Sequence, residues 1–188
     1  MNPIEALVLN FQNLVAQVPE FIQPFIALLA GAVPFIEGEG GAIIGVIGGI
    51  NPIIAAIAAA SGNFLSVLVV VLISSRARSV VVGRGRSSRA AMAMGGGGTA
   101  TATLTEAPAI KPESKGRARF RTFLVRFGVP GATILGPLAI PTQFIAGILV
   151  AGGTSRRWVL LWQAVAIAIW TTVGTVSIWL AIGLVAGF

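Results

Sequence analysis

Between Pro52 and Ser74 the chain runs for about 23 residues without one charged side chain. At 1.5 Å per helical residue, that length matches the ~30 Å hydrocarbon core of a bilayer. The run Val67-Leu68-Val69-Val70-Val71-Leu72-Ile73 closes the segment, and Arg76 and Arg78 follow it. A helix apolar on every side has no face to offer water, so it must be buried in protein or in lipid. A second segment of this kind covers 158–185, also without a charge. Trp158, Trp162, Trp170 and Trp179 lie roughly along one side of it, and the first two suit a membrane interface. Gly174, Gly183 and the Thr and Ser residues between them suit close helix packing.

The rest of the composition agrees. Hydrophobic residues make up 55% of the chain and charged residues 10%, against about a quarter charged in soluble domains. Too few polar groups remain to coat a soluble globule, which argues against a soluble enzyme. There is no Cys, His, Tyr or Asp, and the six acids are all Glu. Thiol chemistry, disulfides, His- or Cys-ligated metal and a Ser-His-Asp triad are excluded by absence. Neither enzymatic activity, a cofactor nor a metal is expected, and 188 residues suit one domain.

All thirteen Lys and Arg residues lie between Arg76 and Arg157, eleven of them before residue 127. The first 75 residues have none, so a secretory leader with a basic start is a poor match there. A dense basic stretch suits nucleic acid, but no aromatic residues interleave Arg84, Arg86 and Arg89, and no nucleic-acid partner is expected. The retention of Lys and Arg on the cytoplasmic side explains the pattern better and places 76–131 there. The expectation is a multi-pass protein of the cytoplasmic (inner) membrane, with a bacterial source suggested by the Gly-, Ala- and Arg-rich composition.

Residues 2–18 carry Ile4, Leu7, Val8, Phe11, Leu14, Val15 and Val18 on one helical face. This helix is too polar to span and is expected to lie in the interface; a packed core helix is the alternative. Residues 21–50 are apolar but broken by Pro34, two glutamates (Glu37 and Glu39) and a run of glycines. Irregular backbone at membrane depth is tolerated where protein buries it, so this segment reads as a helical hairpin entering and leaving on one face. Residues 76–116, with Gly95–Gly98, Pro108 and Pro112, read as a flexible linker. Residues 116–127 read as a basic amphipathic helix, with Phe120, Phe123, Leu124 and Phe127 on one side and anionic lipid headgroups as its partner. Residues 134–153 contain Pro137 and Pro141 and stand between Arg126 and Arg156-Arg157. With both flanks cytoplasmic, this segment must dip in and return as a second hairpin. The order amphipathic helix, re-entrant hairpin, span thus occurs in 1–75 and again in 117–188. The fold class expected is an all-α membrane protein built as an inverted repeat, whose site lies near the midplane between the broken segments.

The stretch Arg126-Phe-Gly-Val-Pro-Gly-Ala-Thr-Ile-Leu-Gly-Pro-Leu-Ala-Ile-Pro-Thr-Gln-Phe-Ile-Ala-Gly resembles the second hairpin of the small multidrug export family, a distant relative of the DedA (SNARE-associated, VTT-domain) membrane proteins. Phe35-Ile36-Glu37-Gly38-Glu39-Gly40-Gly41-Ala42 resembles the acidic first hairpin, and Gly62-Asn63 follows in the first span. The likeness covers roughly 30–75 and 118–185. It implies transport of polyprenyl-phosphate or phospholipid driven by the proton-motive force, with Glu37 and Glu39 as the acidic pair and Arg126 as the first arginine of the second hairpin. The family's further arginine, just after the proline, is replaced here by Ala132 and Thr133. The resemblance therefore implies a single arginine here, Arg126, and no arginine pair.

The residues themselves allow proton coupling, since burial disfavours the charged form of Glu37 or Glu39. Exposure to outer water or pairing with a partner is the other reading of both. Arg126 suits a lipid phosphate or, equally, a surface anchor. Thr142 and Gln143 supply neutral hydrogen bonds to a headgroup or to backbone. Asn51 and Asn63 read as caps or bridges between helices. The function expected is a small transporter or flippase for lipid-linked or amphipathic substrates. Two alternatives stay open: an accessory subunit of a larger membrane complex, and a small multidrug exporter. A homodimer is also left open.

Overall fold

A computed structural model describes residues 3–94 and 128–186. Every regular element among them is helical. α1 covers Pro3–Gln17, α2 Gln23–Ala32, α3 Glu37–Ile47 and α4 Pro52–Met94. α5 covers residues 128–135, a 3₁₀ turn follows at Gly136–Leu138, α6 is Thr142–Ala151 and α7 is Arg156–Ala186. The expected amphipathic helix 116–127, Arg126 and the linker residues 95–116 lie outside the described residues.

Two helices are long and apolar enough to cross a membrane: Pro52–Val80 of α4, with mean hydropathy 2.3, and Arg156–Val185 of α7, with mean hydropathy 1.9. They are not the buried core of a globule, since only 28% and 22% of their apolar windows are buried. Ile53, Ile57, Ile73, Val173 and Trp179 stand exposed along them. The pair is antiparallel, because Asn51–Ile57 lies beside Thr172–Trp179 at one end and Ser75–Ser79 beside Thr154–Arg156 at the other.

Two broken helix pairs fill the space between them. α2 and α3 are separated at 33–36, where Pro34 interrupts the ladder and Phe35 takes a φ of +72°. Small residues then let helices touch at backbone distance: a Cβ on Gly62 would stand 1.8 Å from the Leu28 carbonyl oxygen of α2, and one on Gly31 would stand 2.2 Å from the Ala59 oxygen of α4. α3 leaves the break beside Thr171 and Glu39 beside Gly174 of α7, and ends at Gly45 against Ala55. The second pair approaches from the other end. α6 starts near Asn63, passes Val70 and Ser74 at Gly147, and ends with Gly153 against Arg78. α1 docks its apolar face on the first pair through Val8, Phe11 and the wholly buried Val15, which closes over Gly48.

Both pairs end in the same backbone device. Gly48 and Gly49 close α3, with Gly49 N–H donating to Val46 O and Ile50 N–H to Gly45 O. Gly152 and Gly153 close α6, with Gly153 N–H donating to Val150 O and Thr154 N–H to Leu149 O. This is a Schellman cap, which needs a residue of positive φ, here Gly49 at +92° and Gly153 at +106°. A polar residue, Asn51 or Ser155, then precedes each long helix. Asn51 Oδ1 accepts from Ile53 N–H at 3.0 Å, capping α4.

Two boundaries differ from expectation. Residues 76–94 are not linker but the continuation of α4. Arg, Ala and Met are good helix formers, and extending an existing helix costs far less than nucleating one, so Gly83 and Gly85 do not stop it. The second broken pair also begins before residue 134, since residues 128–133 are already helical. Pro130 stands near the start of the described helix, where Thr133 Oγ donates to the Val129 and Pro130 carbonyls, both at 3.0 Å.

Candidate functional site

Two apolar cores sit at opposite ends of the molecule. One contains Val15, Ala27, Ala30, Ile44 and Ala55; the other contains Val67, Val71, Ile145, Leu149 and Val159. Between them lies a layer of buried polar side chains: Glu37, Asn63, Thr142, Gln143, Gln163 and Thr171, each no more than 4% exposed. Such a layer costs free energy unless its members satisfy one another.

The layer exists because the two broken pairs meet tip to tip. Pro137 and Pro141 end the first limb of the second pair and force a restart at Thr142. The residue before α6 is Pro141, which has no side chain to cap the helix. The cap comes from the other tip. Glu37 Oε1 accepts from the Thr142 N–H at 2.5 Å and lies 3.0 Å from the Thr142 hydroxyl. Glu37 holds this position with a φ of +57°, a conformation that costs about 1–2 kcal/mol for a residue with a Cβ. The Phe35 and Phe144 rings pack beside this contact at 6.4 Å.

The network continues into both long helices. The Thr142 hydroxyl is also 3.0 Å from Asn63 Oδ1 of α4. Gln143 Nε2 donates to Asn63 Oδ1 at 3.2 Å and to Ser66 Oγ at 3.0 Å. Gln163 Nε2 of α7 donates to the Thr142 carbonyl at 3.2 Å. The direction of these bonds is fixed from one end. Ser66 Oγ lies 3.0 Å from the Asn63 carbonyl, which can only accept, so the serine proton is committed there. Ser66 therefore accepts from Gln143, and the amide oxygen of Asn63 faces both Gln143 and Thr142. The Thr142 hydroxyl has one proton and three oxygens in reach: Glu37 Oε1 and Asn63 Oδ1, each 3.0 Å away, and Gln143 Oε1 at 3.4 Å. It can serve one of them fully.

Of the residues singled out from the sequence, Glu37, Thr142 and Gln143 come together. Pro34 stands at one tip, Pro137 and Pro141 at the other. Glu39 stands apart from this cluster, half-buried where α3 passes Gly174. Ala132 and Thr133, where the resembling family carries an arginine, are wholly buried, so a guanidinium there would demand repacking. The sequence reading missed the roles of Ser66, Gln163 and Thr171 and took Asn63 as structural. The signal was present: Asn63 and Gln163 are the lone amides of the two spans. Gln163 Oε1 and Thr171 Oγ have no hydrogen-bond partner although buried. No metal-binding group of acids is found among the described residues.

In comparisons with known proteins, no family model matches the chain, and no match is found among the curated proteins or the solved structures.

Proposed function

We propose that the chain is a small membrane transporter of lipid-linked or amphipathic substrates, coupled to protons through Glu37 and built as an inverted repeat in the cytoplasmic membrane. The outward apolar faces of α4 and α7 belong in lipid, because an apolar surface of that extent is untenable in water. The two glycine caps, with the same backbone bonds and each followed by a polar residue and a long helix, are read as corresponding points of two repeats. They lie at opposite ends of the antiparallel pair, which supports an inverted repeat. Arg78, Arg156 and Arg157 mark the cytoplasmic end. The broken pairs are then re-entrant hairpins whose tips meet within the bilayer.

The observation that carries the proton role is the shared hydroxyl of Thr142. With Glu37 ionised, that hydroxyl turns to the carboxylate, and its link to Asn63 on α4 is lost. With Glu37 protonated, the carboxyl donates to Thr142, and Thr142 donates to Asn63. The chain α3–α6–α4 is then complete. One proton thus adds or removes the Thr142 bond to Asn63, while Gln143 keeps α6 bonded to Asn63 and Ser66 of α4 in both states. The other groups around it are neutral: Asn63 and Ser66 of α4, Thr142 and Gln143 of α6, Gln163 and Thr171 of α7. Glu39, on α3 itself, is the nearest other titratable side chain in sequence. The unpartnered Gln163 Oε1 and Thr171 Oγ are available to a polar substrate group.

The test is reconstitution of the purified chain in liposomes with a fluorescent headgroup-labelled phosphatidylglycerol, with and without a pH gradient. The proposal expects lipid movement that responds to the gradient, and Glu37→Gln insensitive to it. No movement by a monodisperse, lipid-embedded wild type would reject it in favour of an accessory subunit.

A further inference from the structure

Away from the tip contact, at the arginine end of the spans, lies a cavity of about 380 Å³. Ser75, Arg78 and Ser79 of α4 line it on one side; Thr154 and Ser155, between α6 and α7, and Arg156, the first residue of α7, line it on the other. Two arginines and four hydroxyl residues thus line one space, and no carboxylate residue is among the described residues that line it. We propose that this cavity is a binding site for the phosphate of an anionic lipid headgroup, with Arg78 and Arg156 as its principal ligands.

Arg78 is exposed, and its guanidinium lies over the cap of α6. Its guanidinium packs on Gly153, where an added Cβ would lie 2.7 Å from Nη2 and 3.0 Å from Nη1. The corresponding cap glycine of the other repeat, Gly49, has nothing within 4 Å of the same point. The two caps share their backbone bonds and differ in this seat. Guanidinium groups bind phosphate through paired N–H donors, and the hydroxyls of Thr154 and Ser155 can add donors, since those of Ser75 and Ser79 already donate to the Leu72 and Arg76 carbonyls. Arg76 and Arg157 stand on the same two helices, equally charged and exposed, but outside the cavity. A diffuse attraction to an anionic leaflet would use all four arginines alike. A built site uses two.

The lipid source rests on the membrane reading above; the phosphate chemistry does not. The experiment uses the full chain in detergent, scored by native mass spectrometry for retained dioleoyl-phosphatidylglycerol against dioleoyl-phosphatidylcholine, with inorganic phosphate as a separate probe. Arg78→Gln and Arg156→Gln are expected to lower phosphatidylglycerol retention at least tenfold, whereas Arg76→Gln and Arg157→Gln change it less than twofold. Retention unaffected by millimolar inorganic phosphate identifies the lipid as the source. Binding of inorganic phosphate in its place, lost in the same two variants, keeps the phosphate site but overturns its lipid source and counts against the membrane reading. An equal fall in all four variants, or in none, overturns the site. Arg156 lies exposed at the start of α7, so Arg156→Gln keeps the test decisive if Arg78→Gln does not fold.

Discussion

Glu37 has two separable tasks at the tip of the first hairpin. It caps the start of α6, and in the proposed mechanism it trades a proton with Thr142. Glu37→Ala removes both, leaves the buried Thr142 N–H unsatisfied, and is expected to cost about 1–3 kcal/mol in unfolding measured in detergent. Glu37→Gln retains a neutral acceptor and is expected to cost under about 1 kcal/mol. It should nevertheless remove the response of transport to pH. Thr142→Val spares the backbone N–H but breaks the link to Asn63, so transport should fall while Thr142→Ser restores it. The sign for pH follows from the hydroxyl count. The Thr142–Asn63 bond between α6 and α4 is present while Glu37 carries its proton and is lost as rising pH removes it. Glu37, Thr142 and Gln143 were legible in the sequence as polar side chains at apolar breaks. Their partnership with Asn63 and Gln163 was not, because it depends on tips that are 105 residues apart in the chain meeting in space.

At the scale of elements, the helix breaks were written in proline and glycine, and the spans in uninterrupted apolar residues. The end of α4 was not, since Arg, Ala and Ser suit a surface helix and a linker equally. The glycine caps recur as Ile47-Gly-Gly-Ile-Asn51 and Ala151-Gly-Gly-Thr-Ser155, a repeat too short to stand out before the structure showed identical hydrogen bonds. Each needs positive φ, so Gly49→Ala and Gly153→Ala should each destabilise by about 1–2 kcal/mol. Thermal unfolding should separate them, with Gly153→Ala the worse, because its methyl also meets Arg78. Gly62→Ala should be worse than either of them, since its Cβ collides with α2 backbone, not with a movable side chain.

For the whole molecule, the arrangement is two apolar cores, one at each end, separated by a thin polar layer that both hairpins and both spans help to build. A protein of this form can change the layer without unpacking either core, which is what the proposed movement of a substrate past the midplane would use. That depends on the hairpins entering from opposite faces. The absence of native cysteine makes this directly measurable. Single cysteines at Asn51, Ser79, Ser155 and Val185 would be labelled with a membrane-impermeant maleimide in right-side-out and inverted vesicles. Ser79 and Ser155 labelled from the cytoplasmic face, with Asn51 and Val185 labelled from the opposite face, is the predicted result. Ser155 on the face opposite Ser79, or Asn51 on the same face as Ser79, would contradict the inverted hairpins.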